Sequence, residues 1–230
     1  LNLFRSFSPT QQSIIQQCLA TMVKGMMHYQ AHQPHSGLPN IPALNDYCYH
    51  VAGSVGEMLT LLYCDYSSKL RQSQAQLMPL AVSFGQGLQM TNILKDIWQD
   101  QDREICWLPQ DVFSKYNIEL QALSKQRTNP DFHRGVRELV AIAHGYLKDA
   151  LSYTLMIPKA EQGYRNFCLW AIGMALLTLK NINKQPDFQQ SSQIKISHNK
   201  VKIIFVVTRF IGRSNGLVKL FFKRVARGLP

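Results

Sequence analysis

The sequence lacks the patterns that mark β-sheets and membrane-spanning helices. Alternating runs of Val, Ile and Thr are few, so strands are not indicated. The longest unbroken aliphatic and aromatic run near the C-terminus covers residues 203–207, far short of the ~20 residues that a spanning helix needs. The first residues show no signal-peptide pattern. We therefore expect a helical protein that does not cross a membrane by itself.

Cysteine is scarce, and its spacing indicates no site. The five cysteines are odd in number, lie far apart and form no Cys-x-x-Cys pair, so they predict neither a disulfide framework nor a zinc site. This usage is typical of a reducing compartment, and we expect a cytoplasmic location. The cysteines are Cys18, Cys48, Cys64, Cys106 and Cys168.

Acidic residues are missing from both ends of the sequence. None precedes Asp46 and none follows Asp187, whereas nine Lys and Arg residues follow Asp187. The formal net charge is +11, and most of the excess lies in this last part of the chain. The body is therefore near neutral and the tail is basic. No nucleic-acid-binding motif accompanies the charge, so we expect no nucleic-acid partner.

The spacing of apolar residues predicts an all-α fold. The 3.6-residue periodicity indicates helices at about 9–32, 43–64, 71–100, 110–116, 129–156 and 161–183. Asn129 followed by Pro130 predicts a capped helix start. We expect one helical bundle over residues 1–187, then a polar linker and a basic amphipathic tail over residues 188–230.

The most informative stretch is a polar stripe on an apolar helix. At about 100° per residue, Gln89, Asn92, Asp96 and Asp100 fall within an arc of roughly 80°. Carboxylates four residues apart repel each other unless a cation lies between them. Oxygen ligands of this kind suit Mg²⁺, which is commonly shared with substrate phosphates. The pattern therefore predicts a metal-diphosphate site, and the alternative is a solvated helix face.

A second stretch carries small residues inside an apolar helix. It runs from Tyr47 to Glu57, and each helical glycine in it costs about 1 kcal/mol relative to Ala. Either another helix packs closely against Ala52, Gly53 and Gly56, or an apolar substrate lies there. By contrast, Gly85-Gln-Gly87 is not a dinucleotide loop, because a third glycine and a preceding strand are missing.

The tail from Val201 to Arg227 is amphipathic and basic. Apolar side chains recur at helical spacing, with Lys and Arg on the other side, and Gly212, Asn215 and Gly216 are expected to divide it into two helices. This pattern is typical of a helix on an anionic membrane surface. The alternative is a helix that caps the bundle with its charges in water.

These segments together resemble the squalene and phytoene synthase family of head-to-head prenyl transferases. The stretch Tyr47-Cys-Tyr-His-Val-Ala-Gly-Ser-Val-Gly56 is similar to that family's YCxxVAGxVG signature. The stretch from Gln89 to Asp100, with Trp107-Leu-Pro109 after it, is similar to its second aspartate-rich signature. The resemblance is strongest to bacterial squalene synthases, and it implies a bundle of the isoprenoid-synthase type.

The resemblance implies a reaction and a role for each matching residue. Two farnesyl diphosphates would condense to a cyclopropyl diphosphate, presqualene diphosphate, which is then reduced by NADPH to squalene for sterol or hopanoid synthesis. Asn92, Asp96 and Asp100 would hold Mg²⁺ against a diphosphate, Lys95 would add positive charge, and Gln89 would polarise the pocket. Tyr47 would face the reacting centre. The remaining residues it implies are Val51, Ala52 and Gly56 along the farnesyl tunnel, Arg103 as a phosphate contact, and Lys195 and Lys200 for NADPH.

Two departures from the family pattern matter. The family carries a first aspartate-rich motif on an earlier helix, whereas here no acidic residue precedes Asp46 and the sequence begins with Leu1. We expect that N-terminal segment to be missing, so that this chain is the C-terminal two thirds of the family domain and is inactive alone. The second departure is Glu104-Ile105, where the family commonly has Gly-Arg. A phosphate contact is then lost or comes from Arg103.

Three functions stay open from the sequence. The first is a squalene synthase that acts peripherally on the inner face of a membrane. The second is a phytoene or presqualene diphosphate synthase, which needs no NADPH. The third is a non-catalytic helical remnant that binds a membrane or a partner through the basic tail.

Overall fold

The computed structural model describes residues 2–31 and 35–230, and its regular elements are helices. Leu1 and the predicted end of the first helix at residue 32 lie outside the described residues. The α-helices are α1 (Asn2–Arg5), α2 (Pro9–Ala31), α3 (Ile41–Cys48), α4 (Ser54–Tyr66), α5 (Ser68–Gln72), α6 (Gln74–Lys95), α7 (Ile97–Gln101), α8 (Gln110–Ser114), α9 (Pro130–Met156), α10 (Gln162–Lys184), α11 (His198–Ile211) and α12 (Asn215–Val225). A π-helical turn covers Tyr49–Gly53, and 3₁₀-helices cover Leu120–Gln126 and Ser191–Ile194. The all-α prediction is confirmed.

Side-chain caps explain why several helices start where they do. The Asn40 side chain accepts a hydrogen bond from the backbone N–H of Ala43 at 2.9 Å, at the start of α3. Asn129 accepts from Asp131 N–H at 2.9 Å, and Pro130 occupies the first position of α9, as its sequence predicts. Ser197 and Ser214 cap α11 and α12 in the same way. The two tail helices are therefore separate, as expected from Gly212 and Asn215.

Two predicted long helices are interrupted. The stretch predicted at 43–64 contains the π-helical turn Tyr49–Gly53 between α3 and α4. The stretch predicted at 71–100 is divided at Ser73 and again at Asp96, so the expectation of one helix through Asp100 is wrong. Asp96 has φ −104° and ψ 14°, but Asp96 N–H still donates to Asn92 O, and Asp100 N–H to Asp96 O, both at 2.9 Å. The chain therefore turns at Asp96 without losing its helical direction entirely.

The core lies along α6 and α9. Helix α6 packs against α9 and α10 on one side and against α3, the π-helical turn and α4 on the other. After the turn at Asp96, Trp98 is buried and its indole N–H donates to Phe188 O at 2.6 Å. This bond ties the end of α7 to the segment after α10, and it gives a physical reason for the break, since the turn allows Trp98 to enter the core.

The segment predicted as linker and tail packs on the bundle. Phe188, Ile194, Val218 and Phe222 are each at most 2% exposed and belong to the same core as α9 and α10. Helices α11 and α12 contact α10. Within the described residues, none of the helices combines the length and apolarity needed to span a membrane.

Candidate active site

An apolar cavity of about 340 Å³ lies beside the Gln89–Asn92 end of α6. We call it the α6 cavity. Its wall contains all three predicted tunnel residues, Val51, Ala52 and Gly56, together with Gln89 and Asn92. The other lining residues are Val55, Leu59, Ala81, Phe84, Gly85, Leu88, Tyr153, Tyr164, Phe167, Cys168 and Ala171. The two sequence signatures therefore meet at one cavity.

Glycines bring the helices together at this cavity. A Cβ atom at Gly56 would overlap the backbone carbonyl of Ala81, and one at Gly85 would overlap that of Ala52. Close helix packing, one of the two alternatives left open by the sequence, is observed here, and Gly56 and Gly85 also line the cavity. The π-helical turn adds to this geometry, since such turns are frequent at functional sites.

Tyr47 lies in an aromatic and polar setting. Its ring stacks on Trp107 with centroids 3.9 Å apart and planes 12° apart, and the Gln89 side chain lies close enough to affect its hydroxyl. Burial, with contributions from Cys48 and Asp100, raises the pKa of Tyr47 to about 12, although Gln89 lowers it. The hydroxyl is therefore protonated near neutral pH and can donate a hydrogen bond.

Asp96 and Asp100, which we call the acidic pair, are close enough to repel each other. Burial raises the pKa of Asp100, and the charge of Asp96 raises it further, while Arg103 and Lys95 oppose the shift. Asp96 forms an ion pair with Lys95, whose Nζ lies 3.2 Å away. Lys95 Nζ also donates to Asn92 Oδ1 at 3.5 Å. The predicted Asn92, Lys95, Asp96 and Asp100 are thus neighbours.

The polar stripe is not one continuous surface, because the chain turns at Asp96. Gln89 and Asn92 line the α6 cavity, whereas Asp100 borders a small depression next to Trp107. Asp96 and Lys95 line a third, more open cleft that also contains Lys195, which we call the Lys195 cleft. Lys195 thus lines the same cleft as Lys95 and Asp96. Lys200 lies elsewhere, near Lys180, whose pKa is lowered by burial and by neighbouring cations including Lys200.

The donor set fits a hard divalent cation. It offers two carboxylates and one amide oxygen, and a cation would relieve the repulsion that raises the pKa of Asp100. Across residues 2–31 and 35–230, no cluster of three or more His, Cys, Asp or Glu side chains has a metal-binding arrangement. Asn92, Asp96 and Asp100 therefore offer only part of a ligand shell.

In the loop before Trp107, Glu104 departs from the family pattern and has a strained backbone conformation. Glu104 has φ 61°, in the left-handed region that favours glycine. Its carbonyl accepts a hydrogen bond from His35 Nδ1 at 2.6 Å. Arg103, next to it, is exposed and close enough to lower the pKa of Asp100. Arg103 is therefore near the acidic pair, as its predicted role requires.

Sequence reasoning missed the aromatic wall contributed by α9 and α10. The Tyr153 hydroxyl contacts those of Thr60, at 2.8 Å, and Tyr164, and Tyr164 stacks on Tyr63. Burial raises the pKa of Tyr153 to about 12. The sequence does carry one signal for this wall, because tyrosines lie within the apolar faces of two predicted helices. Buried tyrosine hydroxyls need hydrogen-bond partners, so such tyrosines indicate polar contacts inside the bundle.

Comparisons with known proteins identify relatives of this chain. The family model for squalene/phytoene synthase matches residues 1–200. The squalene synthase of Candida albicans is 33% identical over 231 residues, covering 96% of this chain and 49% of that protein. The phytoene synthase of Thermus thermophilus is 30% identical over 106 residues, covering 46% of this chain and 34% of that protein.

A solved structure shares the fold. TcSQS in complex with the ligand BPH1237 superposes with a TM-score of 0.77 at 20% identity, covering 99% of this chain and 65% of that one. The chain spans about half the length of the Candida albicans relative. With the two signatures at one cavity and a family model that matches most of its residues, this chain belongs to the squalene/phytoene synthase family.

Proposed function

We propose that this chain supplies the second diphosphate-binding half and the apolar cavity of a squalene synthase. The enzyme would condense two farnesyl diphosphates head-to-head through presqualene diphosphate and reduce the product to squalene with NADPH. One observation carries this proposal: the α6 cavity is apolar, Gln89 and Asn92 form its polar end, and the acidic pair follows one and two helical turns after Asn92. An allylic diphosphate needs both, an apolar wall for its chain and a cation site for its leaving group.

Each residue has a role in this mechanism. Asn92, Asp96 and Asp100 would hold Mg²⁺, which supplies positive charge to the departing diphosphate. Lys95 would add a cation to the same group. Tyr47 would donate a hydrogen bond to the diphosphate from a hydroxyl whose pKa burial raises to about 12, while its ring is held by Trp107. Tyrosine and aliphatic groups of the α6 cavity would keep water from the carbocation.

The reducing cofactor would approach from the Lys195 cleft. Lys195 is exposed there, on the same side as Lys95 and Asp96, and an ammonium group is suited to a phosphate of NADPH. The location of Lys200 outside this cleft supports a lesser role for it. Lys195→Gln should weaken NADPH binding, and Lys200→Gln is the matched control.

We propose that residues 188–230 have a function of their own. Through α11 and α12, which lie in this region, the enzyme would bind a membrane surface. Ile203, Val206 and Phe210 lie on one side of α11 and are 55%, 56% and 79% exposed. Leu217 and Leu220 are exposed on α12. Exposed cations flank these residues, so the surface combines apolar area with positive charge, as an anionic leaflet requires. The flanking cations are Lys202, Arg209, Arg213 and Lys219.

A second candidate, a phytoene or presqualene diphosphate synthase, is favoured by the similarity to the Thermus thermophilus phytoene synthase. It would use the same acidic pair without NADPH. Product analysis with and without NADPH separates the two reactions.

Because the chain spans about half of its Candida albicans relative, we propose that turnover requires the first aspartate-rich helix from a longer protein. A third candidate is a non-catalytic remnant.

The experiment that tests the site is equilibrium dialysis of labelled farnesyl diphosphate against the 230-residue chain, with and without Mg²⁺. We expect weak binding that Mg²⁺ strengthens about tenfold or more, and loss of that Mg²⁺ effect in Asp96→Asn/Asp100→Asn. The control, Asp149→Asn/Asp187→Asn, removes equal charge at positions outside the cavities described above and should retain it. Binding without any Mg²⁺ effect would support the non-catalytic remnant.

A further inference from the structure

A second cavity, of about 330 Å³, lies between α9, α10 and α12, and we call it the α12 cavity. It is separate from the α6 cavity. At about 100° per residue, Tyr153, which lines the α6 cavity, lies on the face of α9 opposite to Leu147 and Leu151, which line this one. The proposed prenyl transfer uses none of its residues.

The interior of the α12 cavity is apolar. Leu147, Ile172, Leu176 and Phe222 are each at most 4% exposed and form its floor. Leu151 and Ala226 are half-buried and complete the wall. A cavity of this size and lining suits a flexible hydrocarbon chain rather than a polar metabolite.

The rim of the same cavity is cationic. Lys148 on α9 and Lys219 and Lys223 on α12 are exposed at its edge, and no acidic residue is among its lining residues. Lys219 and Lys223 are four residues apart, where like charges on a helix repel each other. No Asp or Glu lies between Asp187 and Pro230, and Pro230 itself contacts His144 at this edge. Three lysines therefore converge at the mouth of an apolar cavity whose lining residues include no Asp or Glu.

His144 completes the polar edge. Its Nδ1 donates to the Pro230 carbonyl oxygen at 2.6 Å, which fixes the ring. Burial lowers the pKa of His144, the charge of Lys148 lowers it further, and the bond to Pro230 opposes the shift. Burial is the main cause of this shift, and the neutral form of the imidazole is favoured at the edge of the cavity.

We propose that the α12 cavity binds a single-chain amphiphile with an anionic head group, its chain on the leucine floor and its carboxylate or phosphate among Lys148, Lys219 and Lys223. Such a ligand matches both the apolar volume and the cationic rim. A fatty acid and an alkyl phosphate share this chemistry. Helix α12 contributes both to this cavity and to the exposed apolar surface, so an occupant would brace α12 against α9 and α10.

The test compares four ligands with one chain length. Dodecanoate, dodecyl phosphate, dodecanol and dodecyltrimethylammonium are titrated into the 230-residue chain below their critical micelle concentrations, with calorimetry and amide chemical shifts as readouts. We expect the two anions to bind and to shift resonances of α12, with dodecanol about tenfold weaker and the cation weaker still. The tighter anion identifies the head group. Equal binding of the cation, or binding of neither anion, would overturn the proposal.

Variants locate the ligand. Lys148→Gln/Lys219→Gln/Lys223→Gln should weaken dodecanoate about tenfold, whereas the equal charge change Lys69→Gln/Lys125→Gln/Lys159→Gln should not. Ala226→Leu should fill the cavity and abolish binding of dodecanoate while the chain stays folded by circular dichroism. If Ala226→Leu binds normally and Ala171→Phe, in the α6 cavity, does not, the ligand occupies the prenyl site and the inference is wrong.

Discussion

Two buried charges in this molecule have opposite surroundings. Arg165 is 0% exposed and donates to the carbonyls of Thr154, Ile157 and Gly212 and to Asn215 Oδ1, at 2.6–3.0 Å. Asp100 is half-buried, and its carboxylate makes no hydrogen bond or ion pair with the part of the chain that the structure describes. One charge is fully satisfied by the protein, and the other is not.

The difference separates a structural charge from a functional one. Arg165 ties the end of α9 to the junction of α11 and α12, so its hydrogen bonds hold elements together. Burial and the charge of Asp96 raise the pKa of Asp100, so its ionised form destabilises the folded chain. Because the carboxylate has no hydrogen-bond partner among the described residues, its oxygens are available to a ligand. Each of the following changes tests this contrast between satisfied and unsatisfied positions.

The largest loss of stability is expected from Arg165→Met. It leaves three buried carbonyls without their donor, and we expect a loss of about 3–5 kcal/mol in the free energy of unfolding by urea. Arg137→Met, an exposed position on α9, is the control and should change stability by less than about 0.5 kcal/mol. Equal effects of the two substitutions would show that Arg165 does not pin the helices.

Next in size is Gly85→Ala, at the close contact of α6 with Ala52. The new Cβ would overlap a backbone carbonyl, so we expect a loss of about 1–3 kcal/mol. Gly145→Ala on α9 is the matched control, because a Cβ there meets nothing within 4 Å. It should stabilise the chain by about 0.5–1 kcal/mol. Thermal unfolding of both variants measures the pair, and a gain for Gly85→Ala would contradict the packing.

Asp100→Asn tests the unsatisfied charge through pH. The folded pKa of Asp100 lies above its ordinary value of 3.8, so its contribution to stability is present below that value and is lost as pH rises through the folded pKa. Asn cannot ionise, so the variant does not lose this stability as pH rises and should be more stable than the wild type near neutral pH. The difference in the free energy of unfolding should disappear below the ordinary pKa of Asp. Urea unfolding across this range measures it. A variant less stable at neutral pH would mean that the carboxylate is satisfied.

The smallest effect is expected at Glu104, whose φ of 61° strains a residue with a Cβ. Glu104→Gly should stabilise the chain by about 1 kcal/mol. Asn117 has a similar φ of 57°, but Asn tolerates this region, so Asn117→Gly should change stability by only a few tenths of a kcal/mol. Urea unfolding measures the gain in the free energy of unfolding for each variant. Equal gains would mean that glycine releases no backbone strain at Glu104.

Much of the fold could be predicted because helix starts carry local signals. Asn129-Pro130 marks the start of α9 and Gly212 marks the end of α11, and the structure has both boundaries at these residues. The π-helical turn at Tyr49–Gly53 and the turn at Asp96 could not be predicted, because each depends on packing with distant parts of the chain. Trp98, for example, enters the core to reach Phe188.

Proximity within the site could be predicted where neighbouring turns carry the residues. Asp96 raises the pKa of Asp100, which follows it by four residues. Tyr47 and Gln89 come from α3 and α6, and the packing of these helices brings them close together. Tyr153 and Tyr164 come from later helices, and no spacing along the chain places them at the same cavity. Such residues are found only when the packing of α9 and α10 against α6 is known.

The cation site is tested most directly by replacing Mg²⁺ with paramagnetic Mn²⁺ and recording amide resonances in the presence of inorganic pyrophosphate. We expect selective broadening at Asn92, Asp96 and Asp100, which disappears in Asp96→Asn/Asp100→Asn. Broadening that is absent from these three residues, or that is unchanged in the double variant, would contradict the proposed cation site.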